Sequence, residues 1–460
     1  MSARSEALGA SLCPECPPLA DGLEHRLRDR MHLAELRRNA TDWRGRLALG
    51  LALIGPGVLV MLGDNDAGGV VTYAQTGATY GLGIFLPMML LLGVVAYVVQ
   101  EMTVRLGAVT RRGHAELIWK RYGAFWGWFS LVDLLVANVL TLMTEFVGIR
   151  LGGQALGLPA WLTVPTALGF ITYALVGLRY WTWERISLFV AALNLIFVPL
   201  ALLAHPDWHS VAGAFSGHGW IVPGGFLSLT FLLLVSANIG TTIAPWQLFF
   251  QQSCVVDKGL LPQDIKAGRR DLLLGVAGMV LVAVALIVLA AQTLKGIPNA
   301  QGLDADVILH ALRVKLGDGL MALFALGLVE AGLIASIVIT ASSAWAVGEA
   351  FGIERSINAA PRQALGFYLP AIVGTAVAAA VVMVPGLNLG FLNLSVQVIA
   401  TVFMPAAMLF LLMLLNDREL MGEHVNSRAR NAASIAIMVA LIVCNGLYGV
   451  ATLFPHALGA

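Results

Sequence analysis

Charged side chains are scarce in this chain: Asp, Glu, Lys and Arg make up 12% of its 460 residues, roughly half the share in soluble proteins. Together with 58% hydrophobic residues and a mean hydropathy of +0.81, that scarcity excludes an ordinary soluble domain and leaves a polytopic membrane protein. Cysteine is nearly absent as well. Of the four, Cys13 and Cys16 form a lone CxxC with no second pair to complete a four-ligand zinc site. Cys254 and Cys444 lie in or beside apolar segments and read as small hydrophobes. No HExxH, GxSxG or GxxxxGK[ST] occurs, so the chain is not expected to be an enzyme. The basic start of the chain has no apolar run of signal-peptide length, so none is expected to be cleaved; its HRLRDRMHLAELRR stretch reads as a solvated tail helix. A net charge of +1 singles out no large charged partner. Neither nucleic acid nor an obligate protein partner is expected; the bilayer and a small ion are.

Long apolar runs are abundant. Spans of about 20 apolar residues fall near 48–77, 83–106, 124–152, 159–178, 186–204, 223–252, 271–294, 318–350, 365–384, 391–415 and 432–454. That predicts an all-α membrane protein of about eleven helices. With the N-terminus inside, 24 of the 28 Lys and Arg residues lie in inner segments, leaving Arg150, Lys295, Arg313 and Lys315 outside. The positive-inside rule therefore places the N-terminus in the cytoplasm and the C-terminus outside, in a cell membrane that reads as a bacterial inner membrane.

Two spans are interrupted by residues that do not belong at membrane depth. GPGVLVMLGDNDAGGVV carries Asp64, Asn65, Asp66, Ala67, Gly68 and Gly69 at its centre, and SANIGTTIAPWQLFF carries Asn238, Gly240, Thr241, Thr242 and Pro245. Freed backbone is tolerated there only where protein or water satisfies it, and a carboxylate is costly, so the pair marks an ion or substrate site. The breaks open spans one and six. A five-span repeat must be inverted in the membrane, so residues 46–204 and 205–416 read as two inverted halves, preceded by a tail (1–45) and followed by a peripheral helix (417–460).

These residues resemble the Nramp divalent-metal transporters, whose first, sixth and second helices carry DPGN, AxxMPH and QxxxxRLGxVTG. Gln100, Arg105, Leu106, Gly107, Val109 and Thr110 match the last motif up to Arg111. Thr144 to Gly148 looks like the family's third-helix AEVIG, and Gln397, eight residues before Pro405, matches its tenth-helix glutamine. The resemblance implies a LeuT-like inverted 5+5 fold with helices one and six broken, and transport of a divalent metal as cargo, with no resident cofactor.

The departures are informative. Aligned without gaps, DPGN falls on Asp64, Asn65, Asp66 and Ala67, so the ligating Asp is kept and the Asn becomes Ala67. AxxMPH becomes Thr241 to Trp246, with Ala244 for the Met and Trp246 for the His; the third-helix Asp is Leu142. These changes resemble the Nramp-related magnesium transporters. Sulfur and imidazole favour transition ions, whereas carboxylate, carbonyl and water suit Mg2+, which keeps several waters. The small residues Ala67, Gly68, Gly69, Gly240, Thr241 and Ala244 leave room for a partly hydrated ion.

Asp64 is expected as the direct carboxylate ligand, with Asp66, Glu145, Thr241 and Gln397 as further or water-mediated ligands. Asp66 equally fits a cap on the second half-helix, and Gln397 a helix-to-helix hydrogen bond. Glu330 reads as one half of a buried pair, and Gly152, Gly153, Gly275 and Gly278 as close-packing positions. Mg2+, with Mn2+ as a second cargo, is the expected substrate, moved without obligatory proton coupling because Leu142 and Trp246 do not titrate. Two alternatives stand beside it: a proton-coupled Mn2+ or Fe2+ importer, and a sodium-coupled carrier of small organic molecules.

Overall fold

The computed structural model describes residues 33–217, 220–353 and 356–453. Cys13, Cys16 and most of the tail helix lie outside them. Among the described residues there is no strand. A short α1 (Trp43–Leu53) bends by 43° into span one, which is made of α2 (Pro56–Leu62) and α3 (Ala67–Tyr80). Span two is α4 (Phe85–Thr110), followed by the connecting α5 (His114–Tyr122). Spans three and four are α6 (Ala124–Ala155) and α7 (Ala160–Gly177). Span five is α8 (Tyr180–Leu193) and α9 (Phe197–Leu203), joined by a 3-10 turn at Asn194–Ile196.

The second half repeats the pattern. Span six is α10 (Leu229–Thr242) and α11 (Pro245–Lys258), and span seven is α12 (Ile265–Thr293). After the connecting α13 (Ala305–Leu316) come α14 (Asp318–Phe351), α15 (Leu365–Val382), α16 (Leu389–Leu415) and α17 (Arg428–Leu453) as spans eight to eleven. Ten helices among the described residues are long and apolar enough to cross a membrane, and the bent pair α1 and α2 passes the same test together; span one consists of the short halves α2 and α3. This is the expected fold, with helices one and six broken. Only 11% of the apolar window of α17 is buried, against 61% for α16, so span eleven is peripheral to the bundle.

Local chemistry explains both breaks. Pro245 stands at the first position of α11, just past the break in span six, and Pro56 at the first position of α2, after the bend from α1, where no intrahelical N–H is needed. Asp66 caps α3 by accepting the Gly69 N–H. The carbonyl of Leu62, freed where α2 ends, accepts from Asn65 N (3.3 Å) and Asn194 Nδ2 (3.2 Å).

Glycine sets how closely the pieces pack. A methyl group on Gly275 would come within 2.5 Å of Gly57 O and 2.9 Å of Met61 Cβ, and one on Gly152 within 2.8 Å of Ala325 O. Both act as the close-packing positions expected of them, bringing α12 against α2 and α14 against α6. Gly153 likewise meets Thr163, and Gly278 meets Leu62.

The start of α2 is held from a distance. Asp271 on α12, buried, accepts the N–H groups of Gly55 (3.0 Å), Gly57 (2.7 Å) and Val58 (3.3 Å). One carboxylate thus caps a helix that begins more than 200 residues earlier, where the helix dipole favours negative charge. Asp271→Ala should lower unfolding stability in detergent by about 2 kcal/mol, with Asp271→Asn losing less. Wild-type stability in the alanine variant would show that water replaces the cap.

Candidate metal site

The two breaks meet at one buried point. Asp66 and Glu145 bring their carboxyl groups within hydrogen-bonding reach of each other. Glu145 Oε2 accepts the Ala67 N–H at 2.9 Å and Oε1 accepts from Thr144 Oγ1 at 3.0 Å, so span three answers backbone freed in span one. Thr241 Oγ1, near the end of α10, donates to Asp66 Oδ1 at 3.5 Å. Asp66 and Thr241 are each 2% exposed, and Glu145 is fully buried.

Gly68 and Gly69 make the space. A methyl on Gly68 would run into Gln397 Nε2 and lie 3.0 Å from Asn393 Oδ1 and Thr144 Oγ1; one on Gly69 would lie 2.5 Å from Thr241 Oγ1. Gln397 therefore reaches the same point from α16, and its Nε2 has no partner among the described residues. An amide can turn its oxygen to a cation from the same position. Gly240 contributes by close approach, since a side chain there would strike the Gln397 carbonyl and Thr401 Oγ1.

Asp64 stands beside this constellation. Its Oδ1 accepts from Gln247 Nε2 on α11, while its buried Oδ2 has no partner among the described residues. Ala244 is the buried residue just before α11 and offers no side-chain donor atom. Trp246, 1% exposed, packs edge-on against Phe250, and a methyl on Gly63 would lie 3.9 Å from its ring.

Three features were missed at the sequence level. Asn393 joins the site, one turn before Gln397 on α16, a spacing that could have revealed it. A buried row of amides leads away from Asp64: Gln100 Nε2 donates to Gln247 Oε1 (3.0 Å), and Thr103 Oγ1 to Gln251 Oε1 (3.1 Å). Farther along, Lys258 Nζ at the end of α11 donates to Glu184 Oε1 (2.9 Å) and Oε2 (3.0 Å) on α8 and to Ile54 O (2.8 Å) before α2. Lys258 and Glu184 have side chains 0% and 2% exposed, so this latch is buried near the Lys- and Arg-rich end.

Other intramembrane polar groups serve structure. Asn238 Nδ2 donates to Thr76 Oγ1 (2.7 Å), Asn138 Nδ2 to Ser343 Oγ (2.8 Å), and Glu101 pairs with Arg105 and Arg269. Glu330 is an exception. Both its oxygens are buried with no partner among the described residues, so the expected pair does not form. His205, Asp207 and His209 are exposed, as a solvated connection should be.

The profile of the Nramp family, natural resistance-associated macrophage protein-like, matches residues 57–451. The chain belongs to the Nramp family. Its relatives include the divalent metal cation transporter MntH of Deinococcus radiodurans, 26% identical over 415 residues that cover 86% of this chain and 89% of the relative. MntH of Erwinia tasmaniensis is 25% identical over 420 residues, covering 90% and 98%. Among solved structures, the Eremococcus coleocola manganese transporter, 20% identical and covering 88% of each chain, superposes with a TM-score of 0.71. MhsT in complex with L-phenylalanine, 14% identical over 86% of this chain and 97% of the other, gives 0.55, which places the Nramp fold in a wider architecture. The chain is a membrane transporter of divalent metal ions, as its family is, and not an enzyme.

Helix geometry also bears on the register of the Nramp DPGN motif. If the motif began at Asp64, its proline would fall on Asn65, whose N–H donates to Leu62 O. Begun at Asp66, the motif keeps Asp66 and Gly68, and its proline falls on Ala67, the first residue of α3, where proline is preferred. The helix start at Ala67 accommodates the second register more readily. On that register the motif's aspartate position is Asp66 instead of Asp64, and its asparagine position is Gly69 instead of Ala67.

Two outcomes follow. Asp66→Asn should weaken divalent-ion binding about tenfold or more in calorimetric titration, because a charge-assisted contact is lost, whereas Asp64→Asn should change it less; the reverse order would return the primary role to Asp64. Lys258→Met leaves Glu184 buried without its partner, a cost of about 3 kcal/mol or more to the closed form. Buried Cys254, whose Sγ lies 2.9 Å from Tyr180 Oη beside Glu184, should then react with maleimide at least about tenfold faster. An unchanged rate would mean that the latch does not hold this end shut.

Proposed function

We propose that this Nramp-family transporter carries Mg2+, with Mn2+ as a second cargo, by alternating access and without obligatory proton movement. The observation that carries the reading is the ligand set. Every side-chain donor gathered around the broken helices is an oxygen or an amide: Asp66, Glu145, Thr241, Gln397, Asn393 and, to one side, Asp64. Among the described residues no three His, Cys, Asp or Glu groups come together, so two carboxylates face the ion and neutral groups or water complete its shell. Such a set suits a hard, partly hydrated ion. Ala244, Trp246 and Leu142 supply neither thioether, imidazole nor carboxylate.

The same positions bear on energy coupling. A proton relay needs ionisable side chains in sequence, and Leu142 and Trp246 cannot take part in one. The membrane potential alone contributes about 4.6 kcal/mol per 100 mV to a divalent ion, twice the single-charge figure. Entry into the cytoplasm needs no other source. The proposed orientation, with the N-terminus inside, rests on the Lys and Arg bias.

One observation favours a second reading. Two buried carboxyl groups in hydrogen-bonding reach cannot both stay ionised without a counter-cation, so a proton between Asp66 and Glu145 would be displaced as metal binds. The names of the relatives, which include a manganese transporter, favour Mn2+ on that reading.

Uptake into sealed proteoliposomes at set potential, following internal Mg2+, Mn2+ and pH together, separates the two. Potential-driven Mg2+ entry without acidification is expected. Mn2+ entry with acidification and no Mg2+ flux would establish the second reading instead.

A further inference from the structure

Near the Lys- and Arg-rich end of the bundle, a groove of about 240 Å³ lies between α4, α12 and α17, lined by Glu101, Arg269, Arg430 and Ser434 over a floor of Tyr97, Val98 and Met102. Its charge is unbalanced. Glu101 is already engaged by Arg105 (3.1 Å) and Arg269 (2.5 Å), and Arg105 is further committed to His424 O (2.9 Å) and Asn426 Oδ1 (2.6 Å). Arg430 is exposed, and its side chain makes no hydrogen bond or ion pair among the described residues. Three guanidinium groups against one carboxylate leave an excess of two positive charges.

The surroundings select the counter-ion. Deeper along each of the three helices stand exposed apolar side chains, Val94 on α4, Leu273 on α12 and Val439 on α17, so the groove runs from a basic rim into a lipid-facing surface. The loosely buried α17 leaves this seam unfilled by protein. A free phosphate would satisfy the rim and leave the apolar floor uncovered, whereas a phospholipid covers both.

We propose that this groove binds an anionic phospholipid, its phosphate held by Arg430 and the outer face of Arg269 and its acyl chains lying over Tyr97, Val98 and Val94. The lipid joins span eleven to span seven, which also carries the Asp271 cap of α2. Planar guanidinium groups suit this task because they pair with phosphate oxygens in bidentate fashion.

Native mass spectrometry of the purified protein, equilibrated with equimolar phosphatidylglycerol and phosphatidylcholine, tests it. Wild-type protein should retain phosphatidylglycerol preferentially. Arg430→Ala should reduce that retention about fivefold, the effect of one basic residue near a membrane surface, and Arg430→Lys should reduce it less. Because Arg430 is exposed, neither variant threatens the fold. Equal retention of both lipids, or unchanged preference in Arg430→Ala, would overturn the proposal. Displacement of the lipid by millimolar glycerol phosphate would also overturn it, since the rim would then bind a free anion.

Discussion

Helices that stop in the middle of a membrane leave backbone groups that water cannot reach, and the rest of this structure depends on how those groups are satisfied. In span one the Ala67 N–H is met by Glu145, the Gly69 N–H by Asp66, and the Leu62 carbonyl by Asn65 and Asn194. Two of these answers are carboxylates. Each accepts an N–H freed by the break, so the groups that repair the helix are also the ones that would face an ion in the proposed site. Holding the break together and offering a metal site are the same arrangement. It also explains the small residues: Gly68 and Gly69 are bounded by Gln397, Asn393, Thr144 and Thr241 so tightly that any side chain there would fill the space.

The start of α2 shows a second use of buried charge. Lys258, Glu184 and Asp271 gather around the start of α2, where Gly55 has no room for a side chain beside the Glu184 carboxylate and Lys258 Nζ. A buried ion pair adds little to stability by itself, but losing one partner is costly. Such a pair favours two discrete arrangements, engaged or fully separated, as the proposed alternating access would require. The row of Gln100, Gln247, Thr103 and Gln251 between the site and this latch is polar without being charged.

Much of this was legible in the sequence. Apolar runs of membrane length gave the spans to within a few residues in most cases, because a bilayer fixes helix length more tightly than a soluble core does. Asp64 to Gly69 and Gly240 to Pro245 announced the breaks, since each combines residues that apolar helices exclude. Less legible was the register of the motif's aspartate. Asp64 and Asp66 lie two residues apart in a segment of no fixed period, and only the helix start at Ala67 distinguishes them. The amide row was invisible because each glutamine is ambiguous until two helices are known to face each other. The Asp271 cap joins positions over 200 residues apart, which no local pattern encodes. Glu330, read as half of a pair, stands with both oxygens unpartnered among the described residues.

The central claim is that the metal sits between Asp66 and Glu145, where the broken helices meet. A crystal structure with Mn2+ bound, with the ion located by anomalous scattering, tests it most directly. The account predicts one strong intramembrane peak in contact with an Asp66 carboxylate oxygen and within one water of Glu145 and Gln397. A peak on Asp64 and Gln247 with Asp66 and Glu145 still paired to each other, or no intramembrane peak at saturating Mn2+, would contradict it.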